Sequence, residues 1–228
     1  MSIFNENSKV IIIGGGATGT GIAREAAHRG FEVILVEKGD LGRGATGNFH
    51  GILHSGARYA VNDPLVAADC YRENQLLRQI VPSAIVDTGG MFVALNDDEV
   101  AHGDRIKEAC RVAGIPVTQI TPEQALQAES QLSPDVKAAF LVPDGFIDGV
   151  ELMRLNQQAA LQAETPATFL TNHTATAFHK EADRITSVSV KNEVTGDVMQ
   201  ISCDYVINAA GVWAGRVAQL AHVPLQVR

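Results

Sequence analysis

The sequence predicts an α/β protein whose buried parallel sheet is begun near one end of the chain and resumed near the other. An apolar run at Val10–Ile13 meets a glycine-rich turn and then a helical pattern, and YVINAAGVWAG (Tyr205–Gly215) repeats that order. Continuous apolar runs of this length fit strands buried on both faces, as in parallel sheets covered by helices. Between the two visits lie a helical middle and then a group of short alternating strands.

The elements follow in order. After Val10–Ile13 comes GGGATGTG (Gly14–Gly21), and IAREAAHRG (Ile22–Gly30) reads as a helix ending near Gly30, a favourable residue just past a helix end. FEVILVE is a second buried strand closing at Glu37. Gly44–Ala60 is too polar and glycine-rich for a core element and reads as loop passing into helix. Pro64–Ile80 is helical, with Pro64 at its start and Pro82 beyond its end. Met91–Leu95 reads as a strand and Asp98–Gly114 as an amphipathic helix. Thr121–Glu129 is a helix whose start resembles a capping box with its acidic residue one place early. AAFLVP is strand-like, the following PDG is a turn, and Glu151–Glu164 is a helix. From Ala167 the period changes to two: ATFL, TATAFHK, ITSVSVKNE and DVMQISCD read as strands, with Glu193–Asp197 as a tight hairpin turn.

Composition narrows the function. With 46% hydrophobic and 19% charged residues the chain is a folded one, and its net charge of −8 argues against a nucleic-acid partner, which needs a basic face. Anionic ligands must be met by local cations. Cys70, Cys110 and Cys203 are odd in number and far apart, which fits reduced thiols rather than disulfides or a zinc site. The histidines show no metal-binding spacing, so no metal is expected. MSIFNENSKV has neither the basic nor the apolar region of a signal peptide, and no apolar run reaches membrane-spanning length. A cytoplasmic location is expected.

Gly14, Gly16 and Gly19 form G-x-G-x-x-G between a strand and a helix. The first glycine allows the tight turn, the second admits a pyrophosphate against the backbone, and the third lets helix and strand pack closely. The helix N-terminus offers N–H groups and a positive dipole end to phosphates. Glu37 stands at the acidic position suited to ribose hydroxyls and would repel a 2′-phosphate. The motif has its strand, helix and second strand, so dinucleotide binding is expected.

The stretches VIIIGGGATGTGIAREAAHRGFEVILVEKGD, GATGNFHGILHSGARYA and YVINAAGVWAG together resemble the FAD-dependent glycerol-3-phosphate dehydrogenase family, anaerobic members most closely. The resemblance implies a Rossmann-like FAD-binding domain of the glutathione-reductase and D-amino-acid-oxidase type, interrupted by a partial substrate domain. The implied division is 1–80, FAD-binding, first part; 81–150, partial substrate or cap region; and 151–228, FAD-binding, second part. Gly14, Gly15, Gly16, Gly19, Glu37 and Lys38 would hold the ADP half. Ala45, Thr46, His50, Gly51, Ile52 and Leu53 would line the path to the isoalloxazine. Ala209 and Gly211 would approach from the second visit, and Ala175 on the adenine side. Arg58 and Tyr59 match positions that face substrate, and an arginine fork suits a phosphate. His54 is a candidate proton handler, the alternative being a hydrogen bond near the flavin ring. His50 resembles a position where some amine-oxidising relatives attach flavin covalently, and Trp213 reads as helix-start packing.

The implied reaction is oxidation of sn-glycerol 3-phosphate to dihydroxyacetone phosphate, with hydride to flavin N5. Electrons would pass to a quinone through iron–sulfur and membrane-anchoring partner subunits, holding the protein at the inner face of the cell membrane. Relatives continue beyond Arg228, so a fragment or truncated product with weak turnover is expected. A same-fold oxidoreductase acting on a 2-hydroxy acid or an amino acid, and a non-catalytic FAD-binding fragment, are the alternatives. A plain NAD-dependent dehydrogenase would leave HSGARY and NAAGVW unexplained.

Overall fold

Ile11 and Ile12 are wholly buried and their neighbours Val10 and Ile13 nearly so, because the first strand is covered on both faces. The computed structural model describes residues 8–225; residues 1–7, on which the reading of the leader partly rests, lie outside that range. Along the chain run β1 (Lys9–Ile13), α1 (Ala17–His28), β2 (Glu32–Val36), β3 (Ile52–Leu53), α2 (Pro64–Ile80), β4 (Ile85–Val86) and β5 (Gly90–Ala94). Then come α3 (Asp97–Val112), β6 (Thr118–Ile120), α4 (Pro122–Ala128), β7 (Ala138–Val142), β8 (Gly145–Ile147) and α5 (Gly149–Leu161). The last are β9 (Thr168–Leu170), β10 (His173–Glu181), β11 (Arg184–Asn192), β12 (Val198–Ser202), β13 (Tyr205–Asn208) and α6 (Ala214–Leu220). The chain divides into two units, Met1–His50 with Gly149–Arg228, and Gly51–Asp148. The sequence boundaries at 80/81 and 150/151 differ from these, the first because α2 belongs with the second unit.

In the first unit a four-stranded parallel sheet has the order β13-β1-β2-β9. The return of the chain therefore pairs directly beside its opening strand, Ile12 facing both Leu35 and Ile207. Side chains alternate between two cores. Val10, Ile12, Val33 and Leu35 pack with Ala23 and Ala27 of α1 and Ala160 of α5. Ile11, Ile13 and Val36 pack instead on Val188 and Val190 of the antiparallel sheet β10-β11-β12. Each such burial stabilises the fold by roughly 1.5–3 kcal/mol over exposure. Helix, parallel sheet and antiparallel sheet thus form three layers.

Helix α1 begins at Ala17, inside the segment read as glycine turn, so the turn is shorter than its composition suggests. It ends as expected: the N–H groups of Gly30 and Phe31 donate to the carbonyls of Ala27 and Ala26, closing the helix through Gly30. The expected hairpin turn forms at 193–197, where the Asn192 side chain accepts from Val194 and Thr195 and its backbone pairs with Asp197.

The second unit corrects the expectation of a helical middle. It holds two antiparallel three-stranded sheets, β3-β8-β4 and β5-β7-β6, beside α2, α3 and α4. Four of the strands span two or three residues, too few for alternation to declare itself. Asp63 caps α2 by accepting from Val66, with Pro64 in the first turn. The start of α4 is a full capping box: Thr121 accepts from Gln124 N–H, and the Gln124 side chain returns to Thr121 N–H. A glutamine serves where an acid was sought.

Candidate functional site

In the first unit, the turns leaving β1, β2 and β13 enclose a cavity of about 650 Å³. It lies where ligands collect on doubly wound sheets, outside the carboxyl ends of the parallel strands, and its size suits a bound cofactor. The first turn can be this tight only without side chains. Gly14 has φ +115°, and a Cβ there would lie 2.4 Å from the Ala209 carbonyl oxygen. A Cβ on Gly19 would come within 1.9 Å of the Gly14 oxygen. The two visits of the chain therefore meet backbone to backbone, and α1 packs directly against the turn.

Gly14, Gly15, Gly16, Glu37, Lys38, Ala45, Thr46, Ala175, Ala209 and Gly211, all expected from the sequence, line this cavity. Gly19 supports it from behind. Glu37 ties β2 to the turn: one carboxylate oxygen accepts from Gly15 N–H at 2.7 Å and the other from Gly39 N–H at 3.0 Å. Each oxygen keeps a second lone pair for a ligand hydroxyl. Gly16 begins α1 without a side-chain cap, and no acidic residue occupies the first turn, so a phosphate there meets the positive end of the helix unopposed. Ala17 N–H donates to Thr46 Oγ1 at 3.0 Å, which holds the Ala45–Gly47 turn beside the helix.

Trp213, Arg43 and Arg216 also line the cavity and were not expected there. Trp213 stands at the start of α6, as the sequence suggests, yet Lys38 Nζ lies 3.4 Å from its ring centroid and Gly44 approaches its edge. The two arginines and Lys38 supply local cations against the overall negative charge. A tryptophan just past a glycine turn is a sequence signal that could have found it, but it reads as packing.

His50 belongs to the same unit but does not line the cavity; it is exposed, its ring 5.9 Å from that of Phe49. Gly51, Ile52, Leu53, His54, Arg58 and Tyr59 fall in the second unit. There, Ile52 and Leu53 form β3 against β8. Gly56 (φ +91°) turns the chain so closely over α2 that a Cβ would lie 2.4 Å from the Ala67 oxygen, and the short turn that follows presents Arg58 and Tyr59 exposed. His54 is partly buried, with Nδ1 3.3 Å from Asp144 Oδ2. In the sequence, Asp144 reads only as part of a PDG turn.

The thiols do not line the cavity, and Cys110 Sγ lies 4.0 Å from the Ala57 carbonyl of the turn that carries Arg58 and Tyr59. Burial pushes Cys110 up to about 11, and burial, followed by the nearby Asp204 carboxylate, raises Cys203. Among the described residues no His, Cys, Asp and Glu side chains gather in a metal-holding group, and no helix is long and apolar enough to cross a membrane.

The fold and the glycine cradle define a dinucleotide-binding flavoprotein class, and the chain belongs to the FAD-dependent oxidoreductase family, which it matches over residues 9–228. FAD is the cofactor of that family. The residues present fit it, since the cradle admits backbone-close phosphates and places a carboxylate for the ribose. The chain is 41% identical over 223 residues to one subunit of the anaerobic glycerol-3-phosphate dehydrogenase of Escherichia coli K12, covering 98% of this chain and 41% of that protein. It is 40% identical over 232 residues to the corresponding protein of Haloferax volcanii, covering 98% and 39%. Among solved structures it is similar to L-proline dehydrogenase from P. horikoshii, with a TM-score of 0.82 and 28% identity over 99% of this chain and 58% of that one. The chain thus spans about two fifths of the length of these curated relatives.

Proposed function

We propose that this protein takes part in the FAD-dependent oxidation of sn-glycerol 3-phosphate to dihydroxyacetone phosphate. The observation that carries the reading is the cavity fed by two glycine turns, in a chain similar over nearly its whole length to part of the anaerobic dehydrogenase. FAD bound there supplies a two-electron acceptor for the hydride of a secondary alcohol. Gly14, Gly15, Gly16 and the start of α1 hold the diphosphate, Glu37 the ribose, and Lys38, Arg43 and Arg216 balance the charge. Ala45 and Thr46 would continue the cradle, and His50, Gly51, Ile52 and Leu53 would serve the flavin half of the cofactor. Arg58 binds the substrate phosphate bidentately and Tyr59 donates beside it. His54 takes the hydroxyl proton.

The relatives are each named as a single member of a larger enzyme, which supports the existence of partner chains. In this reading they include iron–sulfur and membrane-anchoring chains that pass electrons to a quinone and hold the protein at the inner face of the membrane. The decisive experiment is the visible spectrum of the FAD-loaded protein before and after anaerobic addition of sn-glycerol 3-phosphate. Bleaching of the flavin bands by this substrate, and not by L-proline, glycine or lactate, is the expected result. The likeness to L-proline dehydrogenase favours an amino acid as second candidate, and bleaching by L-proline alone would replace the reading.

A further inference from the structure

A closed polar network in the second unit surrounds His54, and its central member is a residue that has no role in the reading above. Asp144, about one eighth exposed, uses both oxygens on consecutive residues. Oδ1 accepts from Ser55 N–H at 2.7 Å, and Oδ2 faces His54 Nδ1 at 3.3 Å. The carboxylate therefore grips the backbone and the ring of one dipeptide at once.

The grip is braced from behind. Asn74, buried in α2, donates through Nδ2 to the carbonyls of Leu53 and His54 at 3.3 and 3.2 Å. Its Oδ1 accepts from Arg78 Nε at 2.8 Å. Arg78 in turn donates to the carbonyls of Pro143 and Asp144, both at 3.3 Å, and pairs with Asp87. The ring closes: α2 holds the end of β3 and His54 just beyond it through Asn74, and the turn bearing Asp144 through Arg78. A polar turn residue that merely needed solvation would not be tied at both its side chain and its carbonyl.

We propose that Asp144 is the positioning residue of His54, fixing both its ring orientation and its tautomer. An ionised carboxylate only accepts hydrogen bonds, so Nδ1 must donate to it. In the neutral imidazole the proton then resides on Nδ1, and Nε2 is the nitrogen able to take another. The inference rests on the proposed reaction for its chemical use. There His54 Nε2 would take the proton of the substrate hydroxyl as its O–H bond breaks and the carbonyl forms, and bound FAD would supply the acceptor for the hydride. The imidazolium so formed faces the Asp144 carboxylate, which stabilises it, as a carboxylate does behind a general-base histidine elsewhere.

The test uses FAD-loaded protein labelled with ¹⁵N in its histidines, the His54 signals being identified by their loss in His54→Gln. Wild-type protein is expected to show His54 protonated at Nδ1 when neutral, and Asp144→Asn to lose that preference, because an amide can donate to Nδ1. Asp144→Asn should also slow flavin reduction by sn-glycerol 3-phosphate by roughly 100-fold, the scale of a general base lost or misaligned, while FAD content holds. Asp144→Glu should restore part of the rate. A wild-type His54 carrying its proton on Nε2 overturns the inference without any variant, so it stays testable even if Asp144→Asn misfolds. An unchanged tautomer and rate in Asp144→Asn overturn it as well. If sn-glycerol 3-phosphate reduces nothing while the tautomer follows Asp144, the positioning role stands and the substrate reading falls.

Discussion

The two units make their chemistry from different material. In the first, the cavity is mostly backbone: Gly14 lets two turns meet and Gly19 lets α1 pack on the first of them, within contact distances that exclude any Cβ, and a single carboxylate, Glu37, ties the turn to the next strand. In the second, the arrangement around His54 is made of side chains, Asn74, Arg78 and Asp144, brought together from residues up to 90 positions apart. Backbone cradles depend on what is missing from a residue, and side-chain networks on what is present. The first should therefore fail by collision and the second by loss of partners.

The largest effect is expected at the collision. Gly19→Val places atoms where the Gly14 carbonyl already lies, and overpacking of that kind costs about 3 kcal/mol or more. A fall in Tm of roughly 6–12 °C and complete loss of bound FAD should be seen by thermal melting and flavin release. Removing partners comes next. Asn74→Leu removes the acceptor of Arg78 Nε and the side-chain donor to the carbonyls of Leu53 and His54, for a loss of roughly 2–4 kcal/mol. Hydrogen exchange should place that loss in residues 51–148, with FAD affinity little altered. Equal loosening of both units would break the contrast drawn between them.

Legibility followed the same division. The strands β1 and β2 could be read because four-residue apolar runs buried on both faces admit little else, and the glycine turn because only glycine tolerates its geometry. Ten of the expected cofactor residues accordingly line one cavity. Strands of two or three residues, such as β3 and β4, have no room for a period, which is why the middle reads as helical. Asp144 could not be recognised: Pro-Asp-Gly is an ordinary turn, and nothing in its spacing foretells His54 as its partner. Trp213 stands in plain view but reads as packing, since a cation above its ring is a tertiary fact.

Smaller effects sharpen the account of the cradle. Glu37→Gln keeps the shape but weakens two charge-assisted hydrogen bonds and the proposed ribose contact, so the FAD Kd should rise roughly 10- to 100-fold by titration. Lys38→Met removes the cation over Trp213 and should weaken FAD by only about 2- to 5-fold, the scale of an exposed cation–π contact. Thiol labelling of the native protein should find one ready group, Cys70, since Cys110 and Cys203 are buried with raised pKa. Because Cys110 stays protonated in the fold up to about 11 against an ordinary 9.0, the unfolded chain ionises first. Its contribution to stability is present below pH 9 and is lost as pH rises toward 11, which denaturant midpoints across that range would register.

The central claim is that FAD seats between the two glycine turns of the first unit, beside Trp213. Trp213 is the only tryptophan in the chain, so its fluorescence reports on this cavity alone. Titration with FAD should quench that emission saturably at one equivalent, and Glu37→Gln should shift the curve to higher FAD. Flavin that binds stoichiometrically while Trp213 emission stays constant would contradict the account, because the cofactor would then be lodged somewhere other than this cradle.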